Sequence, residues 1–146
     1  MVKAFNLILG GMLLATSAVA ETLITESEAR LPPAPATVAA TRAITRGPGI
    51  RILSPDAGSA SLVSPIRLQI AFEPHGGAKI DPSTVRLTYL RSPGVDLTER
   101  VKGGLSEKGI DLKAAEVPPG EHQIRVSVQD SDGRVSNVLL NLNVVR

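Results

Sequence analysis

Residues 120–146 read GEHQIRVSVQDSDGRVSNVLLNLNVVR. Two alternating segments flank Asp132-Gly133. In 121–130, His122, Ile124, Val126 and Val128 share one face, while Gln123, Arg125, Ser127 and Gln129 share the other. In 135–145, Val138, Leu140, Leu142 and Val144 oppose Asn137, Leu139, Asn141 and Asn143. Alternation with a period of two gives a strand one buried face and one wet face. An Asp-Gly pair between two such strands is a hairpin signal, because a type I′ turn needs positive φ at its centre. The two strands are therefore expected to pair as neighbours.

Further upstream, 65–73 sets Ile66, Leu68, Ile70 and Phe72 against Arg67, Gln69, Ala71 and Glu73. Segment 84–90 sets Val85, Leu87 and Tyr89 against Arg86 and Thr88. Shorter strands are predicted at 50–53, 97–101 and 109–114. That makes about seven strands with no strong amphipathic helix, so the fold class is all-β, a two-sheet sandwich of antiparallel strands.

The N-terminal end reads differently. Lys3 precedes an apolar run from Ala4 to Ala15, and Ala18-Val19-Ala20 is the small-x-small pattern that a signal peptidase reads. Residues 1–20 are predicted to be a signal peptide cleaved before Glu21. The apolar run is shorter than the roughly 20 residues of a membrane span, so no integral membrane segment is expected after cleavage. The address is the periplasm. Residues 21–48 contain Leu31-Pro32-Pro33-Ala34-Pro35-Ala36 and an Ala/Thr/Arg stretch without period, which predicts a flexible, extended tail. Arg46-Gly47-Pro48-Gly49 is turn punctuation and places the domain at 49–146.

Composition narrows the function. Lys3 is the only charge in the leader, so the remainder carries one formal charge less than the +2 of the whole chain. Such a chain makes no electrostatic funnel for nucleic acid. Beyond the leader the aromatics are Phe72 and Tyr89 alone, too few for a stacking platform. With no cysteine, the fold has neither a disulfide nor a thiolate site. Phe72 and Tyr89 are expected to anchor the core.

The Gly120-Glu121-His122 corner, the strand to Asp130, Asp132-Gly133-Arg134 and the final apolar strand resemble the closing hairpin of bacterial immunoglobulin-like domains, over about residues 49–146. The string from Thr45-Arg46-Gly47-Pro48 through Gly76-Gly77-Ala78-Lys79-Ile80-Asp81 to Val117-Pro118-Pro119-Gly120-Glu121-His122 also resembles small exported proteobacterial proteins of uncharacterised function. The resemblance implies an immunoglobulin-like sandwich in the envelope and supplies no activity. The chain departs from antibody-type domains in lacking the Cys pair and Trp, and His122 stands where many such sandwiches carry a corner Tyr.

Motifs for chemistry fail on spacing. Asp130-Ser131-Asp132-Gly133 lacks the acidic positions and distal Glu of a calcium loop, so it reads as a turn. His75 and His122 lie in separate segments without an HxH or HExxH pattern, so no metal is assigned. Gly76-Gly77-Ala78-Lys79 lacks the Gly spacing, the Ser/Thr and the helix of a phosphate loop. No G-x-S-x-G elbow is present, and the apolar inward residues are the reverse of an outer-membrane barrel. The expectation is a monomeric, non-catalytic binding or accessory module without cofactor, its partner another envelope protein. The alternative is a structural or spacer component of an envelope assembly. Immunoglobulin-like topology would set 84–90, 121–130 and 135–145 side by side. The candidate partner-binding face is then Arg86, Thr88, Gln123, Arg125, Gln129, Asn137, Leu139, Asn141 and Asn143.

Overall fold

The computed structural model describes residues 20–35, 46–56 and 60–146. Residues 1–19, 36–45 and 57–59 lie outside the described residues, and the signal-peptide expectation for 1–20 falls almost wholly on the first of these. The elements run β1 (Glu21–Thr22), α1 (Glu26–Ala29), β2 (Gly49–Ser54), β3 (Leu62–Val63), β4 (Ile66–Glu73), β5 (Ile80–Tyr89), β6 (Val95–Asp96), α2 (Thr98–Val101), a 3-10 turn (Lys102–Gly104), β7 (Leu105–Ser106), β8 (Gly109–Glu116), β9 (Gly120–Asp130) and β10 (Val135–Val145).

Two sheets form. The first has the order β1-β8-β4-β2, with β7 also on β8, and the second has the order β3-β10-β9-β5-β6. The long strands are those with clean alternation, and their apolar faces meet between the sheets. Leu68, Val85, Leu87, Tyr89, Ile124, Val126 and Val128 lose all contact with solvent, and Phe72 is nearly as buried. The β9–β10 hairpin pairs from Val135↔Gln129 to Val144↔Gly120. Two short edge strands run parallel to their neighbours: β1 on β8 and β3 on β10.

Three local expectations are corrected. Segment 97–101 is helical rather than a strand. Leu97 and Val101 are both fully buried at a helical spacing of four. The Asp96 carboxylate accepts from the Thr98 N–H at 2.9 Å and its hydroxyl at 2.6 Å, which starts the turn. The closing turn is not type I′ either, since no non-glycine residue has positive φ among those described. Asp130 N–H bonds the Arg134 carbonyl at 3.0 Å and Gly133 takes φ 77°, so three residues close the hairpin with glycine in the left-handed position.

The third correction concerns the tail. Residues 21–35 are built into the sandwich. Leu23 and Ile24 belong to the core, and both of their N–H groups bond the Glu116 carbonyl at the end of β8. Helix α1 is short but has a capping box, with the Thr25 hydroxyl accepting from Glu28 N–H and the Glu28 carboxylate accepting from Thr25 N–H. The Arg100 guanidinium forks onto both Glu28 oxygens at 2.6 and 2.8 Å and reaches the Leu23 carbonyl at 2.9 Å. A lone apolar pair, without a run to alternate against, carried no period from which to read this.

The Arg100 fork holds the Glu28 carboxyl at about 2, against an ordinary value of 4.5, with burial opposing. A carboxyl lowered on folding stabilises above its unfolded value and loses that contribution as pH falls through its folded value. Between about pH 4.5 and 2, this pair is expected to lose on the order of 2 kcal/mol, allowing for partial solvent screening. Urea titrations of wild type and Glu28→Gln across that window check it. The variant should start less stable and lose less to acid; parallel curves would contradict the assignment.

Candidate functional site

Sheet order places β10, β9 and β5 side by side, so the alternating outward residues form one surface. Thr88, Arg125 and Leu139 stand in one cross-strand row, and Gln123 pairs with Asn141 in the next, its amide donating to the Asn141 oxygen at 3.2 Å. Arg86 and Asn137 flank Ser127, a half-buried member of this face that the sequence reading placed outward but left out of the candidate set. Asn143 lies toward β3, its amide donating to the Ala60 carbonyl at 2.9 Å. Gln129 lies at the far end, where the Thr84 hydroxyl bonds both its N–H and its carbonyl.

The two cations differ from free surface charges. Arg86 folds back on its own strand, donating to the Ser83 and Val85 carbonyls. Arg125 is half-buried, and its Nη2 is enclosed without a hydrogen-bond partner. The surface therefore offers chiefly amides: Gln123, Asn137 and Asn141 are exposed.

Backbone direction adds to this. The Gln123 carbonyl accepts from Leu90 N–H, and Gln129 bonds Thr84, so odd-numbered β9 residues aim their main-chain groups at β5. Even-numbered residues then bond β10, where His122, Ile124 and Val126 face Leu142, Leu140 and Val138. By the same parity Asn137, Leu139 and Asn141 aim their N–H and C=O groups away from β9. On that side the described strand pairing of β10 is with β3 alone, at Val144 and Val145. From Val135 to Val145 the strand holds no charged residue and no proline, whereas exposed edges are ordinarily guarded by both.

At one end of the face lies an open groove of about 720 Å³. Pro33, Leu90, Arg91, His122, Gln123 and Asn141 are among its walls. Sequence reasoning missed it because one wall is Pro33, brought back by a bridge to Arg91. His122 fills the corner: its Nε2 lies 2.7 Å from the Pro118 carbonyl and its Nδ1 2.7 Å from the Tyr89 hydroxyl. A carbonyl only accepts, so Nε2 carries the proton and Tyr89 donates to Nδ1. Burial drives the imidazole toward its neutral form, with the Arg91 cation adding to that and the Pro118 bond opposing it.

The other singled-out motifs serve the fold. Asp130 is buried; desolvation opposes its charge, but N–H bonds from Arg134 and Asp132 and the Arg134 guanidinium outweigh this and hold its carboxyl below the usual range. Gly76 and Gly77 take φ 62° and 77° in a turn that leads into β5, and Lys79 exchanges hydrogen bonds with Ser131. His75, at the opposite end of β9 from His122, bonds the Gly47 carbonyl at 3.1 Å. Among the described residues no three His, Cys, Asp or Glu side chains gather where they could hold a metal. No described helix is long and apolar enough to cross a membrane.

No family model matches the chain, and no curated protein does. One solved structure similar to it is an engineered protein, crystallised at 1.98 Å. The two are 14% identical, covering 68% of this chain and 20% of that one, with a TM-score of 0.43.

Proposed function

We propose that the chain is an exported, periplasmic, immunoglobulin-like domain that binds another envelope polypeptide without catalysing a reaction. The strand order supports the fold assignment: β2, β4 and β8 correspond to strands A, B and E of one immunoglobulin sheet, and β5, β9 and β10 to C, F and G of the other. The observation that carries the binding reading is the uncharged β10 edge. Its outward backbone groups repeat at the spacing of another strand, and the amides of Asn137, Asn141 and Gln123 stand beside them. A polypeptide can satisfy both sets by adding a strand.

Installing a charge at the edge tests this. Asn137→Lys with Asn141→Lys is expected to leave the melting temperature within a few degrees, since both side chains are exposed. It is expected to abolish recovery of the polypeptide that crosslinks to the wild-type chain in the envelope. Unchanged recovery by the folded double variant would exclude this edge. The structural alternative predicts self-association instead, which sedimentation of the purified chain separates from a monomer that binds.

A further inference from the structure

We propose that His122 and Tyr89 form a proton-operated latch on the N-terminal strap Leu31–Ala34, and that a proton on His122 lifts this strap off the groove. The strap is held at one place. Arg91 Nη1 donates to the Leu31 carbonyl at 3.1 Å, Ser92 N–H to the Pro32 carbonyl at 2.9 Å and Ala34 N–H to the Leu90 carbonyl at 3.4 Å, while Pro33 bridges Arg91. None of residues 31–35 is buried, so little apolar contact backs up these bonds, and such segments open locally at low cost.

The anchor connects directly to the buried pair. The Arg91 guanidinium sits 5.0 Å above the Tyr89 ring and also donates to the Glu121 carbonyl. Tyr89 in turn donates to His122. With the ring neutral, both imidazole nitrogens and the Tyr89 O–H all have partners. A proton on Nδ1 turns that acceptor into a donor, the Tyr89 oxygen must accept, and its own O–H is left without a partner at zero exposure. The new charge also faces a guanidinium. The charged groups around the pair, among the described residues, are Arg91 after β5, Glu121 on β9 and Glu28 on α1. Glu121 is exposed to water, and Glu28 is already committed to Arg100. No charged side chain comes from β10, which contributes Asn141, Leu142 and Asn143 to this groove.

Lifting the strap relieves the cost of the charge. Pro33 and His122 wall the same groove, so removing Pro33 and releasing Arg91 admits water to the imidazole and moves the cation away. The lifted state then takes up a proton near the ordinary imidazole value of about 6.5 while the closed state resists it. The sign follows: the closed state is fully favoured above about pH 6.5, and each unit below shifts the balance toward the lifted state by up to about tenfold until the closed form itself protonates.

Amide hydrogen exchange by NMR on the full chain, corrected for intrinsic rates, tests the latch between about pH 7 and pH 5. Protection of Ser92 and Ala34, whose N–H groups bond across the strap, should fall steeply below about pH 6.5. Protection of Leu97 and Val117, which bond within the sandwich, should hold. His122→Gln keeps a donor and an acceptor but cannot titrate, and should flatten the response. The His122 ring signals of the wild type give a second reading that needs no variant: they should titrate together with the loss of Ser92 protection. Protection that does not change with pH, loss in parallel with Leu97, or a ring that titrates while Ser92 stays protected would each overturn the proposal.

Discussion

Replacing Leu23 and Ile24 together by Ala is expected to lower the unfolding free energy by about 4–10 kcal/mol. Each side chain is at most 2% exposed and belongs to the same core cluster as Leu68 and Val126. Each truncation removes a full aliphatic group and leaves a cavity under β8, at about 2–5 kcal/mol apiece. The two are chain neighbours, so the sum is only approximate. Small domains hold about 5–15 kcal/mol in all, so the double variant should be largely unfolded near 37 °C. Urea unfolding followed by circular dichroism measures it. A loss below about 1 kcal/mol would mean that residues 21–35 are not part of the fold.

Tyr89→Ala is expected to cost about 3–5 kcal/mol for the lost ring. It also leaves His122 Nδ1 without its donor in a buried site, which adds about 1–3 kcal/mol. Tyr89→Phe isolates that second contribution, because the ring stays and only the hydroxyl goes. If the phenylalanine variant is as stable as wild type, the Tyr89–His122 bond contributes nothing net and the neutral-imidazole argument fails with it. The apolar face of β5 was legible in the sequence, and Tyr89 falls on it. The bond to His122 was not, because it joins two strands 33 positions apart.

What the sequence carried and what it withheld divide along physical lines. Strands β4, β5, β9 and β10 alternate over many residues, and each inward side chain there is repeated evidence for one facing. The hairpin signal paired β9 with β10, immunoglobulin-like topology set β5 beside them, and that order puts Thr88, Arg125 and Leu139 in one row. Residues 97–101 misled because a two-residue apolar spacing and a single helical turn are hard to tell apart over five positions, and the deciding contact is the Asp96 side chain. Strands β1, β3, β6 and β7 are two residues long and have no period. Leu23-Ile24 looked like an isolated pair because their partners, Glu116 and Arg100, lie more than 70 positions away. The state of Arg125 was also out of reach: alternation placed it outward, but only packing shows that one of its nitrogens is enclosed.

The central claim is that the β10–β9–β5 surface meets a polypeptide and the opposite sheet does not. A photoreactive residue at Asn141, on that surface, and another at Lys113, exposed on β8 of the other sheet, put the question to the protein in its source cell. Irradiation should join a discrete polypeptide to the chain from position 141, and the same adduct should be absent from position 113. Adducts of equal yield from both positions, or from position 113 alone, would contradict the account.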